Sequence, residues 1–181
     1  MKIGIRLVRL FIILSCIYTM AACKPSRKSV IYNDLRQIIS TQLLLTSDLM
    51  GTDGSGFQKR LSEFNYKILH YIDSTGCNEC SMKSLHYWRS TLEDTLFRNV
   101  GFFFVLWSDN FEETKRLLNN INFRHTVYID MYGLFGSKHE FLRNKMYHTL
   151  LVDKDNTIVL VGDILGNIQL KAKYLEVISN Q

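Results

Sequence analysis

Tyr66-Lys67-Ile68-Leu69-His70-Tyr71-Ile72-Asp73-Ser74-Thr75-Gly76-Cys77-Asn78-Glu79-Cys80 is the stretch that carries the fold of this 181-residue chain. Residues 66–72 are rich in aliphatic and aromatic side chains and run into a polar, Gly-containing turn, which predicts a strand ending at Asp73. Beyond the two cysteines, Met82, Leu85, Trp88, Leu92 and Leu96 recur at intervals of three or four, which predicts a helix with one apolar face. Strand, turn, C-x-x-C and helix therefore follow one another without a gap.

Downstream, residues 100–107 are almost continuously apolar and hold three consecutive phenylalanines, as expected of a strand covered on both faces. Asp109, or Ser108 before it, is placed to cap a helix running to about Ile121, with Phe111, Leu117 and Leu118 on its apolar side. Residues 126–129 form a short strand, and residues 131–144 a loop that can start a helix at Ser137. Residues 147–152 and 157–161 flank the polar turn Asp153-Lys154-Asp155-Asn156, which predicts a hairpin. Residues 165–178 close the chain as a helix that turns Ile168, Leu175 and Ile178 inward, with Leu170 and Lys171 on its margin.

Upstream, Ile31, Leu35, Ile38 and Ile39 mark a short helix. The Leu43-Leu44-Leu45 run either extends it or adds a strand. Residues 51–56 read as a loop and residues 57–64 as a helical turn. Short helices between buried strands make this an α/β protein: a mixed central sheet with helices on both faces, ending in a hairpin plus a helix.

The composition is that of a globular chain, 46% hydrophobic with 10 Gly and one Pro. That argues against disorder, collagen and solenoid architectures. Its net charge of +5 comes from 22 Lys plus Arg against 17 Asp plus Glu. Lys2, Arg6 and Arg9 lie in residues 1–22, so 19 basic residues remain beyond them against the same 17 acidic ones. No Lys/Arg cluster longer than Arg27-Lys28 remains, and no nucleic-acid partner is expected.

Those three basic residues precede an apolar run, residues 10–17, and then Met20-Ala21-Ala22-Cys23. A charged start, a short apolar run and small residues before a cut have the pattern of a signal peptide, and the run is too short to span a bilayer. Met20-Ala21-Ala22-Cys23 resembles the lipobox of bacterial lipoproteins, which implies a lipidated Cys23; ordinary cleavage near Ala22 is the alternative. Residues 23–30 then serve as lipidated cysteine and polar tether, and several acyl chains hold a protein on a membrane far better than one. No acidic cluster follows Cys23, which favours a periplasm-facing position on the outer membrane.

With Cys16 in the leader and Cys23 under a lipid, Cys77 and Cys80 are the thiols left. A disulfide across so small a loop adds little stability, so a redox or ligand role is favoured over a structural staple.

Two segments, Tyr71-Ile72-Asp73-Ser74-Thr75-Gly76-Cys77-Asn78-Glu79-Cys80 and His148-Thr149-Leu150-Leu151-Val152-Asp153-Lys154-Asp155-Asn156, resemble thioredoxin-fold proteins, in particular the envelope-anchored thioredoxin-like lipoproteins related to thiol-disulfide reductases. The resemblance covers about residues 65–181, with residues 31–64 as an N-terminal extension. It implies that the first segment is a strand-to-helix active site and that the second is the strand beside it with its following turn. Two departures stand out. The family's cis-proline is missing, Tyr147, His148 and Thr149 occupying that neighbourhood, where a non-proline cis bond would cost ~2.5–4 kcal/mol. Gly76 replaces the usual aromatic before the first cysteine, and Tyr71 fills the position that often holds a buried carboxylate, which removes a proton relay through that site.

The resemblance implies that Cys77, at a helix N-terminus, is the nucleophile, its thiolate favoured by unpaired backbone N–H groups and the helix dipole. Cys80 resolves the mixed disulfide. Glu79 opposes the thiolate, although Lys83 four residues on can pair with it. Gly76, Asn78, Glu79, Tyr147, His148 and Thr149 are the expected substrate contacts, disulfides of exported proteins the substrates, and an unidentified redox protein the other partner; no cofactor is called for. Two alternatives stay open: a redox-inactive binding module, and a copper or zinc site made by Cys77, Cys80 and His148. His70, His86, His125 and His139 show no ligand spacing. A peroxiredoxin site would need a proline ahead of its cysteine, and no phosphate-binding Gly loop, nucleophile elbow or metalloprotease motif occurs.

Overall fold

The β-rich runs pair into one six-stranded sheet. The computed structural model describes residues 26–44, 49–73 and 78–180, with residues 78–80 described as backbone only. Its strands are β1 (Met50–Gly51), β2 (Tyr66–Ile72), β3 (Val100–Trp107), β4 (Val127–Asp130), β5 (Thr149–Val152) and β6 (Ile158–Val161), in the order β1-β4-β3-β2-β5-β6. β2, β3 and β4 run parallel, while β1, β5 and β6 are antiparallel to their neighbours. The predicted mixed sheet is present, with the strand that leads to the cysteines in its middle.

Helices α1 (Arg27–Ile38), α2 (Phe57–Leu61), α3 (Asn78–Lys83), α4 (Arg89–Leu92), α5 (Phe111–Asn120), α6 (Leu134–Lys138) and α7 (Ile168–Ser179) lie between and beyond the strands. A 3-10 segment, Ser84–Trp88, joins α3 to α4 without a break. By internal contacts the chain divides into residues 1–34 and 35–181. In the first, the Ser26 hydroxyl accepts the Ser29 N–H at 3.2 Å, and α1 starts at Arg27, inside the stretch expected to be tether.

Alternation along β2 sets up two cores. Leu69 and Tyr71 face one side with Phe103, Val105, Tyr128 and Leu150, packed under Phe57, Leu61, Phe135 and Leu142. Ile68 and Ile72 face the other with Phe104, Leu106, Val127 and Leu151, packed under Met82, Leu85, Trp88, Leu118 and Tyr174. Both faces of β3 are covered, as its unbroken apolar run predicts. Lys67 is enclosed and reaches the far hairpin, where its ammonium donates to the Lys154 carbonyl at 3.3 Å and to Asn156 Oδ1 at 3.0 Å. That is one reason the Asp153-Lys154-Asp155-Asn156 turn is polar.

Several expectations need correction. Leu96 was expected on the buried face of the first helix but is exposed, because α4 ends at Leu92 and the 3-10 turn Thr95–Phe97 turns Phe97 inward instead. Ile168 stands at the first position of α7 and is also exposed; Tyr174 is the side chain this helix buries completely. The cap of α5 is Asn110, whose Oδ1 accepts the Glu113 N–H at 3.0 Å, and neither Asp109 nor Ser108 takes that role. The helix expected from Ser137 starts earlier, at Leu134, because buried Asp130 accepts the N–H groups of Phe135 at 3.2 Å and Gly136 at 3.1 Å. The Leu43 run does not extend the helix: Ser40, with φ of 72°, ends it, and beyond an isolated bridge at Gln42 the Leu43 N–H donates to the Asn156 carbonyl at 2.8 Å without forming a strand over Leu43 and Leu44, while Leu45 lies outside the described residues.

Candidate active site

β2 delivers the chain to Asp73 at its C-terminal end, and α3 takes it up again at Asn78. The two ends are tied where the Ser81 hydroxyl donates to the Asp73 carbonyl at 3.0 Å. Cys77 and Gly76 lie outside the described residues. Asn78, Glu79 and Cys80 form the first turn of α3, and their side chains are likewise outside the description. Cys23 too falls outside it.

Asp73 and Ser81, which bracket the cysteine segment in sequence, both line a cleft of about 890 Å³. His70, Trp88, His148 and Thr149 form its inner wall, and Lys145 and Lys171 belong to its lining as well. Lys171 is held by Asp94 at 2.8 Å, joining α7 to the 3-10 turn after α4.

The antiparallel pairing of β2 with β5 fixes the wall. His70 stands opposite Thr149, and His70 Nδ1 lies 2.9 Å from Thr149 Oγ1. The His70 ring is 5.0 Å from that of Trp88, and burial, with His148 nearby, pushes its pKa down to about 3. Trp88 is fully buried, and its Nε1 has no hydrogen-bond partner. Past the last ladder pair, Tyr71 N–H donates to the His148 carbonyl at 2.8 Å, and the Tyr71 and His148 rings meet edge to face at 5.4 Å. His148 thus packs on the sheet face opposite to His70.

Tyr71 is buried, and burial together with Asp130 and Asp73 raises its pKa far above the usual phenol value. It stays a neutral phenol at any physiological pH. His148 is buried, and its Nε2 lies 2.7 Å from the Leu142 carbonyl. Burial holds its pKa below the ordinary histidine value, with the Leu142 bond and Asp73 opposing that shift and Lys145 adding to it.

Of the expected contacts in the later strand, His148 and Thr149 border the cleft, Thr149 Oγ1 being bonded to His70, and Tyr147 is buried in the same core as Tyr71. Every peptide bond among the described residues is trans, those flanking His148 included. Among the described residues no three His, Cys, Asp or Glu side chains gather into a metal-holding group. His70, Asp73 and Trp88 were not expected here. Spacing along the chain cannot show them, since His70 and Thr149 are 79 positions apart and meet only through strand register.

No family model matches the chain, and no curated protein matches it in sequence. Solved structures do match in fold. A protein from Chlorobium tepidum, proposed to be the thiol:disulfide interchange protein DsbE, superposes with a TM-score of 0.58 over 77% of this chain and 96% of its own, at 13% identity. The thioredoxin domain of a thiol-disulfide oxidoreductase from Bacteroides vulgatus gives 0.54 over 74% and 96%, at 17% identity. The fold is thioredoxin-like. Peroxidoxin BcpB from Mycobacterium tuberculosis matches equally well, at 0.54 over 78% and 99% with 12% identity, so a thioredoxin-like fold does not by itself choose the chemistry. In sequence, residues 74–77 connect the central parallel strand β2 to α3, and Cys80 belongs to the first turn of that helix.

Proposed function

We propose that this protein is a thiol-disulfide oxidoreductase of the bacterial envelope that exchanges electrons between Cys77-Cys80 and disulfides of exported proteins. The observation that supports this reading best is the thioredoxin-like fold, in which the sequence that joins the central strand β2, ending at Ile72, to the helical turns Asn78–Lys83, Ser84–Trp88 and Arg89–Leu92 carries Cys77, with Cys80 in the first of those turns. A thiolate is favoured at such a start by the unpaired N–H groups of the first turn.

In the reducing direction the Cys77 thiolate attacks a partner disulfide, forming a mixed disulfide and releasing one partner sulfur as thiolate. The Cys80 sulfur then attacks Cys77, the Cys77–partner bond breaks, and the second partner sulfur leaves. Two electrons pass from the dithiol to the partner, and the protons of the two thiols end on the partner's sulfurs. A membrane electron donor completes the cycle in this direction; in the opposite direction a re-oxidising partner does.

The leader pattern and Cys23 support a lipid anchor that keeps the domain at the membrane. None of the helices among the described residues is long and apolar enough to cross one. A Cys80→Ala protein is expected to accumulate mixed disulfides through Cys77 in cells, and Cys23→Ser to move the protein from the membrane fraction to the soluble one. An inert binding module would trap nothing. A copper or zinc protein would lose metal stoichiometry on His148→Ala while leaving insulin-disulfide reduction intact.

A further inference from the structure

We propose that the bond between His139 and Leu44 is an acid-released latch, which pins the segment following α1 to the end of α6 in neutral solution and lets it go when the His139 ring takes up a proton. The inference is independent of the redox reading. Its geometric basis is a ring bonded at both nitrogens. His139 Nδ1 lies 2.8 Å from the Phe135 carbonyl oxygen, and Nε2 lies 3.0 Å from the Leu44 amide nitrogen. A carbonyl only accepts and a backbone N–H only donates. One neutral tautomer therefore fits, with the hydrogen on Nδ1 and the lone pair of Nε2 accepting from Leu44.

His148 and His70 keep their ring bonds on protonation. His148 Nε2 donates to the Leu142 carbonyl, which a charged ring still does, and His70 Nδ1 faces the Thr149 hydroxyl, which can turn from donor to acceptor. The Leu44 amide has no such freedom. A proton on His139 Nε2 sets two donors against each other, and the amide must leave.

Before Leu44 the segment is stitched to β6 and to the β5–β6 turn. Ser40 N–H donates to the Ile158 carbonyl at 2.8 Å, Ile158 N–H to the Thr41 carbonyl at 2.9 Å, the Gln42 side-chain amide to the Asp155 carbonyl at 3.0 Å, and Leu43 N–H to the Asn156 carbonyl at 2.8 Å. None of these bonding groups titrates. Leu43 is also buried, whereas the Leu44 side chain is 57% exposed, so the ring bond rather than packing holds Leu44. Release at His139 frees the Leu44 end and leaves the stitches from Ser40 to Leu43 in place.

Lys138, next to it on α6, and Asp130, at the end of β4, are the charged groups that act on the ring. Glu140, on the turn that follows, pairs with Arg143 at 3.5 Å, both well exposed. Phe135 and Phe141 are its aromatic neighbours, and residues 40–44 carry no titratable side chain. Burial holds the pKa of His139 below the ordinary histidine value of 6.5; Lys138 adds to that shift, while the Phe135 bond and Asp130 oppose it. The neutral ring is the form the fold favours, so the latch is closed at pH 7 and opens as the pH falls.

Amide hydrogen exchange of the full-length protein, corrected for the intrinsic rate, tests the latch at Leu44. Opening linked to one proton rises by up to about tenfold per pH unit below the free-histidine pKa of ~6.5, until the folded ring itself titrates. Leu44 protection is therefore expected to fall at least ~5-fold between pH 7 and pH 5. His139→Gln places a side-chain oxygen near Nε2 that accepts the Leu44 N–H but does not titrate, and its Leu44 protection is expected to stay level over that range. Level protection in the parent, or an equal fall in parent and variant, overturns the proposal. Should the variant fail to fold, ring ¹⁵N shifts of His139 in the parent decide: the hydrogen is expected on Nδ1 at pH 7, and a neutral ring carrying it on Nε2 contradicts the latch.

Discussion

His70 and Thr149, on adjacent antiparallel strands, share a hydrogen bond of 2.9 Å on the inner wall of the cleft that Asp73 and Ser81 line. This pair holds the His70 ring against Trp88, and Trp88 in turn carries the helical segment that follows Cys80. Thr149→Val keeps the shape and removes the hydroxyl. A loss of ~1–3 kcal/mol is expected in urea unfolding, from the ring nitrogen left without its partner.

The same burial gives stability a defined dependence on pH. His70 has a folded pKa near 3 against 6.5 in the unfolded chain, and His139 and His148 are shifted downward as well. Each of these rings binds a proton more readily when unfolded. Their stabilisation is therefore complete above about pH 6.5 and is lost as the pH falls from there toward 3. The urea midpoint should drop between pH 7 and pH 4.5, and His70→Gln should flatten that slope; equal slopes in parent and variant would count against the assignment.

Trp88 separates size from hydrogen bonding. It is completely buried, between His70, Phe102 and Phe104, and its indole N–H is unpartnered. Trp88→Ala should cost ~3–5 kcal/mol from the cavity it opens. Trp88→Phe should cost much less, because losing an unsatisfied donor offsets part of the lost contact. Denaturant midpoints of the two variants measure the difference.

Asn110 and Asp130 test the local signals at helix starts. Asn110→Ala removes the cap of α5 and should cost ~1 kcal/mol, whereas Asp109→Ala, at an exposed position, should stay within ~0.5 kcal/mol. Asp130→Ala strands the N–H groups of Phe135 and Gly136 and should cost ~1–3 kcal/mol, with Asp130→Asn recovering part of it.

These residues also show what a linear chain can and cannot reveal. The apolar run of β3, the polar turn between β5 and β6, and the Met82, Leu85 and Trp88 stripe were legible because each is a local pattern with the period of its element. Leu96 and Ile168 defeated the same logic, because a periodic count assumes that the helix continues and one has ended while the other has barely begun. Asn110 won the cap over its neighbours through backbone conformation, φ −137° and ψ 102°, which residue type alone does not give. The wall of the cleft was hidden for a different reason. His70, Thr149 and Trp88 come together through strand register and helix packing, and no spacing along the chain encodes that meeting.

The reduction potential of the Cys77-Cys80 couple in the full-length protein, measured by equilibration with a glutathione or dithiothreitol buffer, tests the assignment most directly. A labile, exchanging pair is expected between about −120 and −270 mV, the span of working oxidoreductases. A value below about −300 mV, that of an inert structural bridge, or a pair that forms no disulfide at all, would contradict it.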